Sequence, residues 1–292
     1  MNKKIIFLNP VNPLIPANRG SDQLTMTISI LGCGWLCLPL GAELARQGYR
    51  VKGSSTRAER LPMLAEAGVE PFLLHFSPQP EGDLTGFLET ADVLVVSIPP
   101  RAGQQGDAFH PAQIAALTEK LVVRNQQLAV VYISSTSVYP DSGGETTESS
   151  AVLENHPLIQ AENELKSTGL PLTVVRFGGL MGYDRIPGKY FIGKTVTTGE
   201  VPVNFIHRDD AVGILVEIIR QNAWGHTFNA VAPQHPIRRD IYLKNAAQFG
   251  WEAPRFEAHA VPEPFKVISP AHLIRRLSYR FRYPDPLDFF YA

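Results

Sequence analysis

Short apolar runs, each followed by a segment of helical periodicity, limit this chain to very few folds. The clearest run is Val93-Leu94-Val95-Val96, inside Asp92–Pro99. A strand with no polar alternation is buried on both faces, which is the environment of a parallel sheet covered by helices. Further strands are predicted at Thr27–Leu31, Tyr49–Gly53, Pro71–Phe76, Leu128–Ser134 and Leu172–Phe177. Helices are predicted at Pro39–Gln47, Ala58–Ala67 (disturbed by Pro62), Pro111–Gln127 and Pro157–Ser167. This alternation, with short connections, predicts an α/β fold: a Rossmann-type doubly wound parallel sheet.

Beyond Gly178 the alternation loosens. Short strands are predicted at Val203–Ile206 and Thr227–Val231, and helices at Asp210–Arg220, Arg239–Phe249 and Pro270–Phe281. The expected organisation is an irregular N-terminal arm over 1–26, a nucleotide-binding domain over 27–180, and a smaller C-terminal substrate lobe over 181–292, interleaved with the last sheet strands. The arm is broken by Pro10, Pro13 and Pro16, and Ile5-Ile6-Phe7-Leu8 is too short for a secretory signal. A start at Met26 is the alternative reading of that arm.

The totals exclude several classes. With 292 residues and a 44% hydrophobic share, the chain can bury a sizeable core. A net charge of −1 and the absence of a basic run argue against a nucleic-acid surface. No stretch approaches the ~18 apolar residues of a membrane span. The two cysteines, Cys33 and Cys37, have no further ligands nearby, so no metal site is expected. Without a disulfide framework the chain suits a reducing compartment, which predicts a cytoplasmic protein.

The first predicted strand runs into Gly32-Cys33-Gly34-Trp35-Leu36-Cys37 and then into a helix. A dinucleotide pyrophosphate needs close backbone approach and the free N–H groups of a helix N-terminus, and a glycine turn in this position supplies both. Gly32 and Gly34 fill the first two places of G-x-G-x-x-G. Cys37 stands in the third, with Gly41 one turn later. A thiol there should hold helix and strand slightly apart without blocking the phosphate. Trp35 reads as packing on the turn. The second strand ends in Ser54-Ser55-Thr56-Arg57, with no acid until Glu59. An acid here would select NAD through the ribose 2′-hydroxyl. Hydroxyls and an arginine instead suit a 2′-phosphate and favour NADP. A solvated surface arginine is the alternative for Arg57.

Four segments go further. They are Gly32–Leu36, Ser134-Ser135-Thr136-Ser137-Val138-Tyr139, Val175-Arg176-Phe177-Gly178-Gly179-Leu180-Met181-Gly182 and Phe205-Ile206-His207-Arg208-Asp209-Asp210-Ala211. In this order the chain resembles the extended short-chain dehydrogenase/reductases, the NAD-dependent epimerase/dehydratase-like group, and specifically an atypical bacterial branch. The resemblance covers nearly everything from Met26 onward. It implies a cofactor site formed by Gly32, Gly34, Trp35, Leu36, Ser55, Thr56, Arg57, Ile98, Pro99, Ser134, Phe177 and Gly178. It also implies a catalytic hydroxyl at Ser135, where a strand end can polarise a substrate carbonyl. A serine that merely caps the strand end is the other reading.

The family's Tyr-x-x-x-Lys does not appear on the following helix. One match puts Glu154 and Leu158 at those positions, and a shift by two puts His156 and Gln160 there. Tyr190-Phe191-Ile192-Gly193-Lys194 fits the pattern literally but follows the wrong strand and contains a glycine. Tyr139 and Tyr183 are further polar candidates. His207 and Asp210 are expected to brace the substrate lobe, and Arg176 to pair with a carboxylate near the sheet end. Two functions remain: an NAD(P)-dependent oxidoreductase or epimerase acting on a carbonyl or sugar-like molecule, or a catalytically degenerate NAD(P)H sensor. The expected partner is a small-molecule substrate, and a homodimer is compatible with the sequence.

Overall fold

The computed structural model describes residues 26–100, 102–121, 127–258 and 263–292. Apart from Met26, the expected arm lies outside the described residues. So do residues 122–126 of the expected helix ending at Gln127.

Seven strands form one sheet. In chain order they are β1 (Thr27–Leu31), β2 (Arg50–Ser55), β3 (Glu70–Leu73), β4 (Val93–Val96), β5 (Ala129–Ser135), β6 (Leu172–Phe177) and, further along the chain, the edge strand Thr227–Ala230. A separate parallel pair, β7 (Gly179–Met181) and β8 (Phe205–His207), lies between β6 and that edge strand in sequence, which makes Thr227–Ala230 β9. The order across the sheet is β9-β6-β5-β4-β1-β2-β3, and every pairing is parallel. The order reverses between β1 and β4, which opens a crevice at their carboxyl ends.

Apart from a single turn at Ala102–Gln105, the described helices are α1 (Cys37–Arg46), α2 (Leu61–Glu66), α3 (Leu84–Leu88), α4 (Phe109–Leu121), α5 (Pro157–Ser167), α6 (Arg208–Arg220), α7 (Arg238–Phe249) and α8 (Ala271–Leu277). Successive strand residues feed opposite layers. Ile28, Ile30, Val93, Val95 and Val131 pack with α1, α6 and α8. Leu31, Leu94, Val96, Val130 and Tyr132 pack with α3, α4 and α5. The continuous apolar runs are therefore explained by helices on both faces. Among the described residues no helix is long and apolar enough to cross a membrane.

Several expectations are corrected in detail. The helix expected over Ala58–Ala67 is a 3-10 turn (Ala58–Arg60) followed by α2, with Pro62 in its first turn, where a missing N–H costs nothing. The helix expected over Pro270–Phe281 stops at Leu277, because Ser278 turns left-handed with φ 51°. Helix α3 was not foreseen. Its signal was Asp83, whose carboxylate accepts the Gly86 N–H at 2.8 Å. The other end of α3 is capped by Lys52, which is buried and donates to the carbonyls of Gly86 and Glu89 at 2.7 Å each. A cation fits the negative end of a helix dipole.

Arg176 on β6 grips Glu162 on α5 through Nε and Nη2 at 3.1 and 2.6 Å, and both residues are buried. Ser134 donates to the same carboxylate at 2.7 Å, and Arg176 Nη1 donates to the Tyr139 hydroxyl at 2.7 Å. Tyr139 in turn donates to Asn229 on β9 at 2.9 Å. Burial works against the Arg176 charge, and the hydrogen bonds and field of Glu162 outweigh it, holding the guanidinium above its ordinary value. Removing one partner strands a buried charge. Glu162→Ala is expected to lower unfolding free energy by about 3–5 kcal/mol in urea titrations. Lys166, 3.9 Å from Glu162, is itself a cation and cannot pair with the stranded guanidinium.

His207 is fully buried and fixed as a neutral tautomer. Its Nδ1 accepts the Asp209 N–H at 3.2 Å, which leaves Nε2–H to donate to the Phe290 carbonyl at 3.1 Å. Burial lowers the pKa of His207, and burial does the same for His110 and His235. A histidine whose folded pKa is depressed stabilises the fold fully only above its unfolded value, near 6.5, and that contribution is lost as pH falls below it. Melting temperature is expected to decline between pH 7 and 5, beginning before the carboxylates titrate.

Candidate active site at the sheet switch point

Strand β1 delivers the chain to the crevice and Gly32 turns it with φ 95°, a conformation in which a side chain is strained. A Cβ at Gly32 would also meet the Ser97 carbonyl oxygen at 2.8 Å. The turn is fastened to the end of β2: Gly32 N–H donates to Ser54 Oγ at 2.9 Å and Cys33 N–H to the Ser54 carbonyl at 2.8 Å. The first helical bond runs from Leu38 N–H to the Gly34 carbonyl at 3.0 Å. The N–H groups just before it, at Trp35, Leu36 and Cys37, have no intrahelical acceptor. Gly34 has only the Gly32 carbonyl oxygen within 4.0 Å of a hypothetical Cβ, so its outer side faces open space.

Cys37 stands where the fingerprint has its third glycine, and its side chain is fully buried under the helix. Close helix–sheet approach is taken over by two other glycines. A Cβ on Gly41 would meet Val69 at 2.9 Å, and one on Gly53 would meet Cys33 Sγ at 2.7 Å and Val69 at 2.6 Å. The sulfur of Cys33 occupies the volume that Gly53 leaves free. Burial pushes the Cys37 thiol up to about 12 and the Cys33 thiol higher still, so both are space-filling thiols rather than nucleophiles at neutral pH.

The turn opens into a cleft of about 580 Å³. Gly32, Gly34, Ser55, Thr56, Arg57, Ile98 and Pro99 line it, as do residues not singled out from sequence: Ser54, Arg60, His75, Ser77 and Ser97. Arg60 was hidden because it enters only through the 3-10 turn after Arg57. Ser55 Oγ accepts the Arg57 N–H at 3.1 Å, fixing the loop that aims both arginines. Arg57 itself is exposed, with Glu59 at 3.8 Å.

The remaining sequence-derived positions sort by side-chain direction. The Ser134 hydroxyl points away from the cleft to Glu162. Phe177 packs in the core, and Gly178 lets β6 pass the Asn204 carbonyl, which a Cβ would strike. Leu36 is also buried in the core. Trp35 lies against the C-terminal lobe, its indole N–H donating to Asp184 at 2.7 Å.

At the end of β5, Ser135 Oγ accepts the Ser137 N–H at 3.1 Å, which caps the 3-10 turn Thr136–Val138 and leaves its own proton to donate elsewhere. Both readings of Ser135 are thus compatible with one geometry. Ser137 Oγ lies 3.3 Å from His156 Nε2. His156 caps α5, its Nδ1 accepting the Leu158 N–H at 3.2 Å, so the Nε2 proton is the one facing Ser137. Burial lowers the His156 pKa, Asp107 and Glu162 oppose it, and Lys266 adds to it. These two contacts orient the ring with its Nε2–H toward Ser137. Leu158 is buried, and Glu154 and Gln160 have no hydrogen bond to Ser135. The Tyr139 phenol is buried between Arg176 and Asn229, and burial raises its pKa, so it cannot supply the proton. Tyr190 lies in the 3-10 segment Pro187–Phe191 and Lys194 follows Gly193 at φ 64°, so the two are not on one helical face. His207 and Asp210 brace the lobe: Asp210 accepts the N–H groups of Arg282 and Tyr283 and the Tyr279 hydroxyl. Among the described residues no cluster could hold a metal.

No known protein-family profile matches the chain. Among solved structures, a functionally unknown conserved protein from Silicibacter pomeroyi superposes with a TM-score of 0.74 at 24% identity, covering 90% of this chain and 96% of its own. The UDP-glucuronic acid 4-epimerase of Bacillus cereus, solved with UDP-glucuronic acid and NAD, gives 0.74 at 17% identity, with coverage of 90% and 96%. A human epimerase family protein solved with NADPH gives 0.64 at 16%, with coverage of 89% and 96%. These neighbours show the same Rossmann-like α/β fold. The chain is 31% identical over 268 residues to Protein YeeZ of Escherichia coli K12, an alignment covering 89% of this chain and 97% of that protein. The strain O157:H7 protein matches equally. By that identity and coverage, the chain belongs to the family of Protein YeeZ.

Proposed function

We propose that this chain binds NADP(H) in the switch-point cleft and acts as an oxidoreductase or epimerase on a carbonyl or sugar-like small molecule. One observation carries the reading. The cleft joins the glycine turn to two arginines, Arg57 and Arg60, and among its described lining residues there is no carboxylate. Carboxylates at this position grip the ribose diol of NAD; paired guanidiniums suit a 2′-phosphate. Structural neighbours with NAD and with NADPH support a dinucleotide without selecting one. Those solved with UDP-sugars support the substrate class.

The residues present fit the cofactor. The outer face of Gly34 is open to a pyrophosphate, and the N–H groups of Trp35–Cys37 lie at the positive end of α1. A bound nicotinamide would supply hydride transfer. Ser135 would orient and polarise the substrate oxygen through its free proton, with Ser137 beside it held by His156. Among the described residues no phenol–ammonium pair adjoins these hydroxyls, so this reading includes no general acid of the ordinary kind. That deficit costs about 10²–10⁴ in rate. The same observation favours a second reading, a nucleotide sensor with no turnover. Tight NADPH binding without activity across a carbonyl and sugar-nucleotide panel would select it.

Calorimetry is expected to show NADPH binding more tightly than NADH. Arg57→Ala should remove part of the preference, about 1.5–3 kcal/mol for a charge-assisted contact, and the Arg57→Ala/Arg60→Ala double variant the rest. Equal affinities in the parent would end the NADP assignment. Gly34→Val should fold, since its Cβ meets only the Gly32 carbonyl oxygen, at 4.0 Å, yet lose nucleotide binding.

A further inference from the structure

Two hydroxyls at the carboxyl end of β5 have their oxygens engaged by the protein and their protons unassigned. Ser135 Oγ accepts the Ser137 N–H at 3.1 Å. Ser137 Oγ lies 3.3 Å from His156 Nε2, and because His156 Nδ1 accepts the Leu158 N–H at 3.2 Å, the Nε2 proton is the one that points at Ser137. Neither hydroxyl proton has an acceptor among the described residues, and a hydroxyl that accepts from a fixed donor is itself a stronger donor. Ser135 is half-buried and Ser137 exposed. Strands β4 and β5 leave the sheet side by side, with Val96 opposite Tyr132, and the continuation of β4 through Ser97, Ile98 and Pro99 lines the cleft. The charges around the two hydroxyls are already matched. Burial keeps His156 uncharged at neutral pH, Glu162 is gripped by Arg176 at 2.6 Å, and Lys266 pairs with Asp141 at 3.0 Å.

We infer that Ser135 and Ser137 bind two adjacent oxygens of one substrate, Ser135 the reacting carbonyl and Ser137 the oxygen on the neighbouring carbon, so that the site selects α-hydroxy carbonyl and vicinal dicarbonyl compounds over isolated carbonyls. The two side chains are joined through one hydrogen bond at the start of a single 3-10 turn, which suits oxygens on neighbouring carbons. A carboxylate or phosphate in the same place would call for a free cation. Lys266, the one cation among the described residues whose field acts on His156, is spent on Asp141 and on the Tyr139 carbonyl at 2.7 Å. His156 is a positioning residue, since it touches Ser137 and not the substrate. This inference rests on the function proposed above and names its substrate class.

The test uses the full chain with 2,3-butanedione, which carries adjacent carbonyls, and 2-butanone, which carries one. In the presence of NADP⁺, which cannot reduce it, 2,3-butanedione is expected to shift the His156 Nε2 resonance in ¹⁵N NMR of the parent but not of Ser137→Ala. With NADPH, the diketone takes hydride at one carbonyl carbon and a solvent proton at its oxygen, giving 3-hydroxy-2-butanone. The parent's preference for it in kcat/KM over 2-butanone should fall about tenfold in Ser137→Ala, the equivalent of one hydrogen bond, and persist in Ser137→Thr, which keeps the hydroxyl. His156→Asn separates positioning from folding. Asparagine can cap α5 as His156 does, but it is too short to reach Ser137, so the melting temperature should stay near the parent's while the preference falls. An unmoved Nε2 resonance in a parent that binds NADP⁺, or a preference retained in folded Ser137→Ala, would overturn the paired-oxygen site and leave the cofactor assignment standing. Failure of the parent to bind either NADP⁺ or NADPH would remove both.

Discussion

The buried pair of Arg176 and Glu162 holds the working end of the molecule together. It joins β6 to α5 beneath the crevice, and Ser134, Tyr139 and Asn229 extend it to β5 and β9. An unpaired charge at any of these positions would sit in apolar surroundings, so the strand ends are constrained to one relative arrangement. Ser135 is placed by that arrangement. It is the residue after Ser134 and opposite Phe177 across the β5–β6 ladder, and both neighbours are fixed in the interior. The alternating geometry of a strand then turns Ser135 toward the opposite side from Ser134.

The phosphate turn obeys a second constraint, that of steric room. Only Gly32 needs a left-handed backbone, and only Gly34 must keep its outer side clear. The third requirement, close passage of α1 over the sheet, is met by Gly41 and Gly53, with the thiols of Cys33 and Cys37 filling what remains. Cys37 is thus no defect in the fingerprint. The function of the third glycine has been divided between two others, and the sulfur atoms restore packing density.

The strand-end hydroxyls form an organised but unusual polar group. His156 serves both the helix α5 N-terminus and Ser137, and those two bonds fix its tautomer. A histidine tied in this way orients a hydroxyl. Under the proposed function, this group would polarise a substrate oxygen.

The sequence by itself determined the parallel sheet and the glycine turn at its switch point. Val93–Val96 and its counterparts can be buried on both faces only if helices cover both sides, and Gly32 and Gly34 recur where only a backbone can approach a ligand. It also marked Ser135, Arg57 and the pairing of Arg176 with a carboxylate, because each depends on local position along a strand. Other features came from contacts distant in sequence, which no local pattern encodes. Glu162 became the partner of Arg176, and Ser134 turned inward, through packing of α5 on the sheet. Arg60 reached the cleft only through the geometry of a 3-10 turn. Trp35 met Asp184, 149 positions away, because the hairpin of the C-terminal lobe folds back onto the first turn of the chain's sheet. Periodicity reports which face of an element is buried; which element arrives to bury it is decided by the three-dimensional order of strands and helices.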